Sequence, residues 1–513
     1  MSLPSGDRHL RREPTGRIAR RPGALATIGV MADDTFAATV AGQHLLLMLV
    51  NLLARQFGVV GTIAVNVPNV ALDESISWPG VSSKQLAAAV IEMAHFVAGP
   101  EMEIRASAGQ PDSDVLVLAG SFDPTVYDVP AVAAVADGWR CAVCSTHLVP
   151  PVSAATRNPV GPYLAACMAA WFVFDVLCGS GRPVDASISL WDAKPAQWPA
   201  LAVGAEPEGL ILPDCYLIGA GAVGAALVRT IAAIPRLRGR IVAADPQEQS
   251  RTDRNRLVSG GYNTVGMRKV DLVAAEARPG LQIYPVHGRW PDDYVTRADR
   301  AVPPNLRERE EAFRYEWVLS CVDRNRDRQG IARYMPRHVI GGSTDGLVAQ
   351  AVYYSMIGTC ECLACNHPVL RPETLEELTT MLAGPAARAG WLQSHGADAK
   401  TAAAVEEYLN APQCGGLGEA ELARLGREGE VDWSVGFVSV AAGVLQAAIF
   451  IRCAQLGVVS VTGDRPELRL LFHSLELVAS AARRGEDCGL CSDPEILDQW
   501  REQWEPGSGT PLN

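Results

Sequence analysis

The stretch CYLIGAGAVGAALVRTIAAI, residues 215–234, decides the fold of the second half of this 513-residue chain. A short apolar run leads into a turn with Gly219, Gly221 and Gly224, and residues typical of a helix follow. Glycines at this spacing let a strand turn tightly, let the backbone approach a phosphate and let the next helix pack closely. The free N–H groups at the helix N-terminus would face that phosphate. The turn predicts a nucleotide site but does not choose among NAD, FAD, S-adenosylmethionine and ATP.

Length and composition narrow the classes of protein. A chain of 513 residues is expected to form two or three domains. The net charge of −12 argues against a nucleic-acid surface. We expect no membrane span, because no uninterrupted apolar stretch reaches the length of about eighteen residues that a span needs. Thirteen cysteines without a secretory signal indicate core thiols, metal ligands or nucleophiles in a reducing compartment, with the cytoplasm as the expected location.

The pattern of apolar runs predicts an α/β fold with two tandem Rossmann-like units. In the first, residues 36–67 predict strand, helix and strand with Gly42 at the first turn, 114–121 and 139–146 predict strands, and 158–177 a long buried helix. In the second, 239–247, 317–323 and 338–346 predict strands or strand ends, and 433–455 a similar long apolar helix. The expected divisions are a basic tail at 1–24, a first repeat at 25–190, a linker at 191–210 and a second repeat at 211–513 with a helical insertion at 369–432.

These two similar units suggest a pseudodimer in which only the second unit carries a phosphate turn. Two unrelated Rossmann-like domains are the alternative.

Charged residues beyond the turn favour a triphosphate over NAD. Asp245 ends the second strand of the unit, where an acidic residue commonly bonds a ribose hydroxyl. Arg256 lies eleven residues further on and Lys269 another thirteen, and two fixed cations suit the charge of a triphosphate under attack at the α-phosphorus. Asp323 follows a later strand, where a carboxylate can hold Mg²⁺.

The glycine turn, the NR pair at 255–256, VGMRK at 265–269 and CVD at 321–323 together resemble the ThiF/MoeB/ubiquitin-activating superfamily. The resemblance covers about residues 210–500 well and the first half more loosely, as an inactive adenylation-type repeat. It implies that Asp245 holds the ribose of ATP, that Asn255 and Arg256 face the phosphates, that Lys269 stabilises the departing pyrophosphate and that Asp323 binds magnesium.

The sequence departs from the family pattern beside the phosphate contacts. Thr252 and Asp253 stand where the family usually has Ser-Asn, and Leu257 where it usually has Gln. The extra carboxylate of Asp253 puts the local phosphate contacts in question. The family also brings an arginine from the partner repeat onto the γ-phosphate. Candidates for it here are Arg17, Arg20, Arg21 and Arg55.

Two C-x-x-C pairs predict a closed, structural Cys₄ zinc site, and the superfamily has such a zinc in the same two places. The four ligands are Cys362, Cys365, Cys488 and Cys491. Cys360 lies too close to the first pair to join it. Cys141 and Cys144 share the spacing but lie in a predicted strand, where their side chains point to opposite faces, and we interpret them as core thiols.

The remaining cysteine with a chemical interpretation is Cys414, in the insertion between the two zinc pairs. Ubiquitin-activating relatives carry in this segment the nucleophile that takes the adenylated glycine as a thioester, and a following helix N-terminus would lower the thiol pKa. A structural thiol is the alternative for Cys414. We interpret the other cysteines within apolar elements as core residues: Cys215, Cys321 and Cys453.

The resemblance implies an activating enzyme that uses ATP and Mg²⁺ to adenylate the C-terminal glycine of a ubiquitin-like protein. A thioester on Cys414 and transfer to a conjugating enzyme would follow. The fused pair of repeats favours this hypothesis, with a monomeric pseudodimer, and resembles compact enzymes of bacterial ubiquitin-like conjugation operons, some linked to antiviral defence. The alternatives are adenylation of a sulfur carrier or peptide without a thioester, an NAD-dependent oxidoreductase and a non-catalytic scaffold.

Overall fold

A computed structural model describes residues 25–504 apart from 150–155, 178–180, 195, 290–315, 358–359, 366, 368–374, 395–396, 412–421, 423–434, 463–466, 482–483 and 486–487. The described chain contains two mixed β-sheets covered by helices. The α/β class predicted from the sequence is therefore confirmed.

The first sheet has seven strands in the order β3-β2-β1-β4-β5-β6-β7. Five neighbouring strands from β3 to β5 pair in parallel, and β6 and β7 pair antiparallel at one edge. The strands are β1 (Ala26–Ala32), β2 (Val60–Asn66), β3 (Glu103–Ala106), β4 (Val115–Ala119), β5 (Ala131–Asp137), β6 (Arg140–Cys144) and β7 (Asp185–Ser189). The helices are α1 (Asp34–Ala37), α2 (Val40–Leu53), α3 (Leu86–Ala98) and α4 (Val160–Leu177).

The second sheet has eight strands in the order β10-β9-β8-β11-β12-β13-β14-β15. They are β8 (Cys215–Ile218), β9 (Gly239–Ala244), β10 (Leu281–Val286), β11 (Trp317–Ser320), β12 (His338–Asp345), β13 (Val348–Tyr354), β14 (Glu467–Leu471) and β15 (Glu476–Ser480). The described helices are α5 (Ala222–Ala232), α6 (Lys269–Ala274), α7 (Asn325–Arg333), α8 (Leu375–Leu382), α9 (Pro385–Ser394), α10 (Ala399–Asn410), α11 (Gly436–Leu456), α12 (Val458–Thr462) and α13 (Pro494–Trp504).

The two sheets repeat one topology. Strands β8 to β14 follow the order and direction of β1 to β7, with five parallel strands and then antiparallel pairs. Each unit also places its long apolar helix, α4 or α11, between the last two of these strands along the chain. Strands β1 and β8 therefore occupy equivalent positions, as do β4 and β11, and β6 and β13.

One local prediction is wrong: residues 36–40 are not a strand. The first strand lies earlier, at Ala26–Ala32, and helices α1 and α2 follow it. The carboxylate of Asp33 accepts the N–H of Phe36, and the hydroxyl of Thr39 accepts the N–H of Gly42, so each residue caps a helix N-terminus. Gly42 therefore lies inside α2, where a Cβ would be 2.0 Å from the carbonyl oxygen of Phe36.

Helices α4 and α11 pack against each other and join the two units through one continuous hydrophobic core. The rings of Phe174 and Phe437 meet across this contact with centroids 5.6 Å apart. Both helices have the length and hydropathy of a membrane span, although no uninterrupted apolar run of that length was found in the sequence. Within the fold, 83% of the residues in the α4 window and 89% of those in the α11 window are buried.

An arginine from the first unit crosses into the second. Arg55 lies just beyond the end of α2 and is 1% exposed. Burial and the charge of Arg254 lower the pKa of Arg55 to about 9. Its guanidinium donates to one side chain of its own unit and to three backbone carbonyls of the other: Asn51 Oδ1 at 2.8 Å, Arg254 O at 2.6 Å, Val258 O at 3.0 Å and Gly260 O at 2.7 Å.

A second arginine crosses in the opposite direction. Arg254 lies in a short 3₁₀ helix, Arg251–Asn255, and its guanidinium stacks 4.7 Å from the ring centre of Phe57. It donates to three acceptors at the C-terminal end of α3: Val97 O at 3.1 Å, Ala98 O at 3.0 Å and Glu101 Oε1 at 3.0 Å. Each unit therefore supplies a cation that satisfies buried carbonyls of the other.

We expect Arg55→Lys to lower the free energy of unfolding by about 2–4 kcal/mol. A lysine ammonium cannot reach acceptors on both sides of a guanidinium, and each buried carbonyl that loses its donor costs about 1–3 kcal/mol. Urea denaturation followed by tryptophan fluorescence measures the loss. Arg105→Lys, at an exposed position in β3, is the matched control. Equal stability of the two variants would contradict the role given to Arg55.

Candidate nucleotide-binding site

The glycine turn after β8 has the geometry of a phosphate cradle. Gly219 has φ +96°, and a Cβ there would be 2.7 Å from the carbonyl oxygen of Cys321. At Gly224 a Cβ would be 2.1 Å from the carbonyl oxygen of Gly219, so helix α5 packs directly on the turn. Gly221, by contrast, has no atom within 4 Å of its Cβ position, and it begins α5 without a side-chain cap. The N-terminus of α5 therefore has free space beside it and no side-chain cap, as anion binding requires.

Asp245 lies where β9 ends, beside this turn. Its carboxylate accepts the N–H of Ala220 at 2.9 Å and the N–H of Gln247 at 2.8 Å. Burial raises the pKa of Asp245, and the nearby carboxylate of Asp323 adds to the increase, while these hydrogen bonds and Lys269 oppose it. The side chain is thereby fixed next to the turn, in the position from which an acidic residue can bond a ribose.

The two predicted cations meet at one carboxylate. Lys269, the first residue of α6, places its Nζ 2.7 Å from Gln247 Oε1 and 3.4 Å from Asp253 Oδ2. Arg256 Nη2 lies 3.2 Å from the other oxygen, Asp253 Oδ1. Burial alone would raise the pKa of Asp253, but Lys269, Arg256 and hydrogen bonds from Ser250 outweigh it and lower the pKa to about 2. Asp253 is therefore ionised at neutral pH and holds both cations together.

The other predicted residues lie around the same crevice. Asn255 is buried at 1% exposure, whereas Asp323 is exposed three residues beyond the end of β11. The crevice opens between β8 and β11, where the chain changes direction across the sheet, the usual ligand position in open α/β sheets. Several features thus lie together at the carboxyl ends of the central strands of the second sheet. They are the glycine turn, Asp245, Asp323, and the cations Arg256 and Lys269 that Asp253 holds.

The equivalent crevice of the first unit is filled by its own carboxylate. Asp33 follows β1 in place of the glycine turn, and its two oxygens accept the N–H of Phe36 and the N–H of Ser121, each at 2.6 Å. A Cβ on Gly120, the residue after β4, would lie 1.8 Å from Asp33 Oδ2. In this unit a built-in anion already satisfies the N–H groups that a phosphate would otherwise use.

Of the arginine candidates for the γ-phosphate, the structure describes only Arg55. Arg55 uses its guanidinium on the buried carbonyls described above. Arg17, Arg20 and Arg21 lie outside the described residues, and so does Cys414.

The four cysteines of the two C-x-x-C pairs come together. The sulfur of Cys365 lies 3.7 Å from that of Cys362 and 3.4 Å from that of Cys491, and Cys362 and Cys488 are 3.6 Å apart. Tetrahedral zinc with bonds of about 2.3 Å separates its sulfurs by about 3.8 Å, so these thiols fit the ion. The cluster packs against Met356 and Trp500 and could tie the segment before α13 to the end of β13.

Among the other cysteines, Cys141 and Cys144 do point to opposite faces of the sheet. Cys141 belongs to the main core and lies 3.9 Å from the sulfur of Met168. Cys144 lies on the other face, with its sulfur 3.2 Å from His147 Nδ1, a contact that the sequence analysis did not anticipate. Gln247 was also missed, although its position two residues after Asp245 places it near the phosphate turn.

Comparisons with known proteins give one partial family match and distant likenesses. Residues 27–190, under half of the chain, match the family described as the BilD N-terminal domain. Over 331 residues the chain is 24% identical to the uncharacterized protein y4jF of Sinorhizobium fredii strain NBRC 101917 / NGR234. That alignment covers 62% of this chain and 56% of y4jF, so the chain spans little more than half of this relative.

Solved structures with partial likeness include MccB from E. coli. MccB with SeMet MccA gives a TM-score of 0.35 at 12% identity, covering 55% of this chain and 66% of MccB. MccB with ATP gives 0.33 at 12% identity, covering 54% and 65%.

We expect Asp253→Asn to bind inorganic tripolyphosphate about tenfold more tightly than the wild type, equivalent to about 1.4 kcal/mol. The carboxylate competes with a bound phosphate for Arg256 and Lys269, whereas an amide of the same shape does not. Isothermal titration calorimetry measures the change. Asp271→Asn removes one exposed charge from α6 as a control. Weaker binding by Asp253→Asn would mean that the carboxylate positions the cations rather than competing for them.

Proposed function

We propose that this chain is an ATP-dependent adenylating enzyme that activates the C-terminal carboxylate of a peptide or protein. The observation that carries the proposal is the pair of cations, Arg256 and Lys269, held on Asp253 beside an open glycine turn. In the reaction, a carboxylate oxygen of the substrate attacks the α-phosphorus of ATP. The bond between the α-phosphorus and the oxygen that bridges it to the β-phosphate breaks. Pyrophosphate leaves with that oxygen as the acyl-adenylate forms.

The residues of the crevice divide this work among them. The turn and the N-terminus of α5 bind phosphate oxygens, and Asp245 accepts a ribose hydroxyl. Arg256 and Lys269 neutralise charge on the departing pyrophosphate, which is the main requirement of phosphoryl chemistry. Asp323 would hold Mg²⁺, which supplies further charge neutralisation when bound.

A nicotinamide site gives these cations no task, because hydride transfer develops no charge on the phosphates. A non-catalytic scaffold is disfavoured by the same residues, because burying two cations around a carboxylate has a desolvation cost that a scaffold does not need. The scaffold hypothesis suits the first unit better. There the carboxylate of Asp33 takes the position of the phosphate. This favours a first unit that binds no nucleotide and instead stabilises the second unit.

The finer proposal is that the substrate is a ubiquitin-like protein ending in glycine. After adenylation, the thiolate of Cys414 would attack the acyl carbon, AMP would leave, and the thioester would pass to a conjugating enzyme. Its support is the resemblance of the sequence motifs and the position of Cys414 between the two zinc pairs. Release of an adenylate without a thioester, as for a sulfur carrier or peptide, requires fewer steps and uses the same crevice.

We expect Lys269→Ala to lower ATP–pyrophosphate exchange by about 100- to 1,000-fold, because one fixed cation at a developing charge contributes about 2.7–4 kcal/mol. The assay uses labelled pyrophosphate and, as carboxylate donor, a candidate ubiquitin-like protein or a peptide that ends in glycine. Lys84→Ala, which removes an exposed lysine of the first unit, is the control. Undiminished exchange in Lys269→Ala would refute its role in adenylation.

A non-reducing gel after incubation with Mg-ATP and the ubiquitin-like protein tests the thioester. We expect a thiol-sensitive adduct in the wild type and in Cys360→Ala, and none in Cys414→Ala, because only Cys414 is assigned as the nucleophile. Exchange of pyrophosphate continues in all three, because adenylation precedes the thiol step. Exchange without an adduct in any variant would show that the reaction stops at the adenylate.

A further inference from the structure

A second group of metal-ligating side chains lies in the first unit, outside the nucleotide crevice. Cys144 Sγ is 3.2 Å from His147 Nδ1, and the same nitrogen is 3.9 Å from Asp185 Oδ2. All three ligand atoms lie within 4.8 Å of one another. This cluster of Cys144, His147 and Asp185 is referred to below as the first-unit cluster.

Strand pairing brings the three residues together. Cys144 ends β6 and pairs directly with Asp185, the first residue of β7, so their side chains leave the same face of the sheet. The backbones are joined just beyond, where Ser145 N donates to Val184 O at 2.8 Å and Val184 N donates to the Ser145 hydroxyl at 2.9 Å. His147 follows three residues after the cysteine, and the turn folds its ring back over the thiol.

The atoms that these contacts join distinguish a set of metal ligands from a catalytic relay of protons. A relay through histidine uses its two ring nitrogens, one toward the thiol and one toward the carboxylate. Here the thiol, the carboxylate and the hydroxyl of Thr146, at 3.0 Å, all face Nδ1, so the sulfur, nitrogen and carboxylate oxygen lie around one point. The sulfur of Cys144 also accepts the N–H of Thr146 at 3.4 Å.

The repeated topology gives independent support. Strand β6 is equivalent to β13, and β13 is followed by the C-x-x-C pair of Cys362 and Cys365. In each unit, therefore, a cysteine lies at the end of the same antiparallel strand or beyond it, and before the long apolar helix.

We propose that the first-unit cluster binds a second zinc ion, with one thiolate, one imidazole and one carboxylate as ligands. Tetrahedral zinc holds a sulfur and a nitrogen ligand about 3.5 Å apart and a nitrogen and an oxygen ligand about 3.4 Å apart. The observed separations of 3.2 and 3.9 Å need only small side-chain rotations to match.

The first-unit cluster differs from the Cys₄ cluster in one functional respect. The side chains of His147 and Asp185 are 55% and 62% exposed, so a fourth coordination position faces solvent. A zinc site with three protein ligands and an open position exchanges water or an external ligand, unlike a closed Cys₄ site. Because the three ligands join the edge strand β7 to its neighbour β6, metal binding also fixes this edge of the first sheet.

Zinc content of the intact chain tests this proposal. After loading with ZnSO₄ and passage through chelating resin, we expect two zinc ions per wild-type chain by plasma mass spectrometry. We expect one in His147→Ala and one in Asp185→Asn, whose exposed positions leave folding intact. His95→Ala and Asp192→Asn are matched controls that should keep two, since neither residue belongs to a cluster. One zinc ion or fewer in the wild type, or two in His147→Ala, would overturn the proposal.

Cobalt replacement identifies the ligands. With Co²⁺ as the only metal, the wild type should show thiolate-to-cobalt absorbance from the four cysteines of the Cys₄ cluster and from Cys144. Cys144→Ser should lose the absorbance due to one thiolate. Cys488→Ser should change the absorbance due to the Cys₄ cluster. Unchanged absorbance in Cys144→Ser would exclude its sulfur as a ligand. Neither measurement involves ATP, so the result is independent of the proposed adenylation.

Discussion

The crevice beside the glycine turn depends on a cation that belongs to the other half of the chain. Arg55 donates to the carbonyls of Arg254, Val258 and Gly260, and this segment contains Arg256 and leads toward Lys269. Those carbonyls are buried and belong to no regular strand. Without Arg55 the carbonyls of Arg254 and Gly260 would lose this donor, whereas that of Val258 would keep the amide of Asn51, another residue of the first unit. The first unit therefore acts on the site through structure. This is a physical reason for a single chain with two units.

The two units share a topology but differ at the ends of equivalent strands. After β8 the chain presents glycines and open N–H groups, whereas after β1 it presents the carboxylate of Asp33. A sheet order is maintained by a whole core, but the chemistry at a strand end is decided by one or two residues. Divergence of this kind leaves the packing of the core unchanged.

Local signals in the sequence predicted the α/β class, the glycine turn, the two long apolar helices and the cysteine pairs, because each depends on residues close together in the chain. The capped helices after β1 were also local, and the Asp33 and Thr39 caps could have identified them. The pairing of Asp253 with both cations could not be derived in this way, because it depends on a folded loop. The insertion of Arg55 joins residues about 200 apart, and the contact of Cys144 with Asp185 requires the register of two strands separated by a long helix.

The packing of α4 on α11 has a consequence for synthesis. The first helix ends at Leu177 and its partner begins at Gly436, so about 260 residues must be translated between them. At about 5–20 residues per second, the ribosome needs about 10–50 s for this interval. During that time α4 can pack on α2, β5 and β6 of its own unit, but the side that faces α11 has no partner yet. The shared hydrophobic core is therefore completed only after α11 has been made, which couples the folding of the first unit to completion of the second.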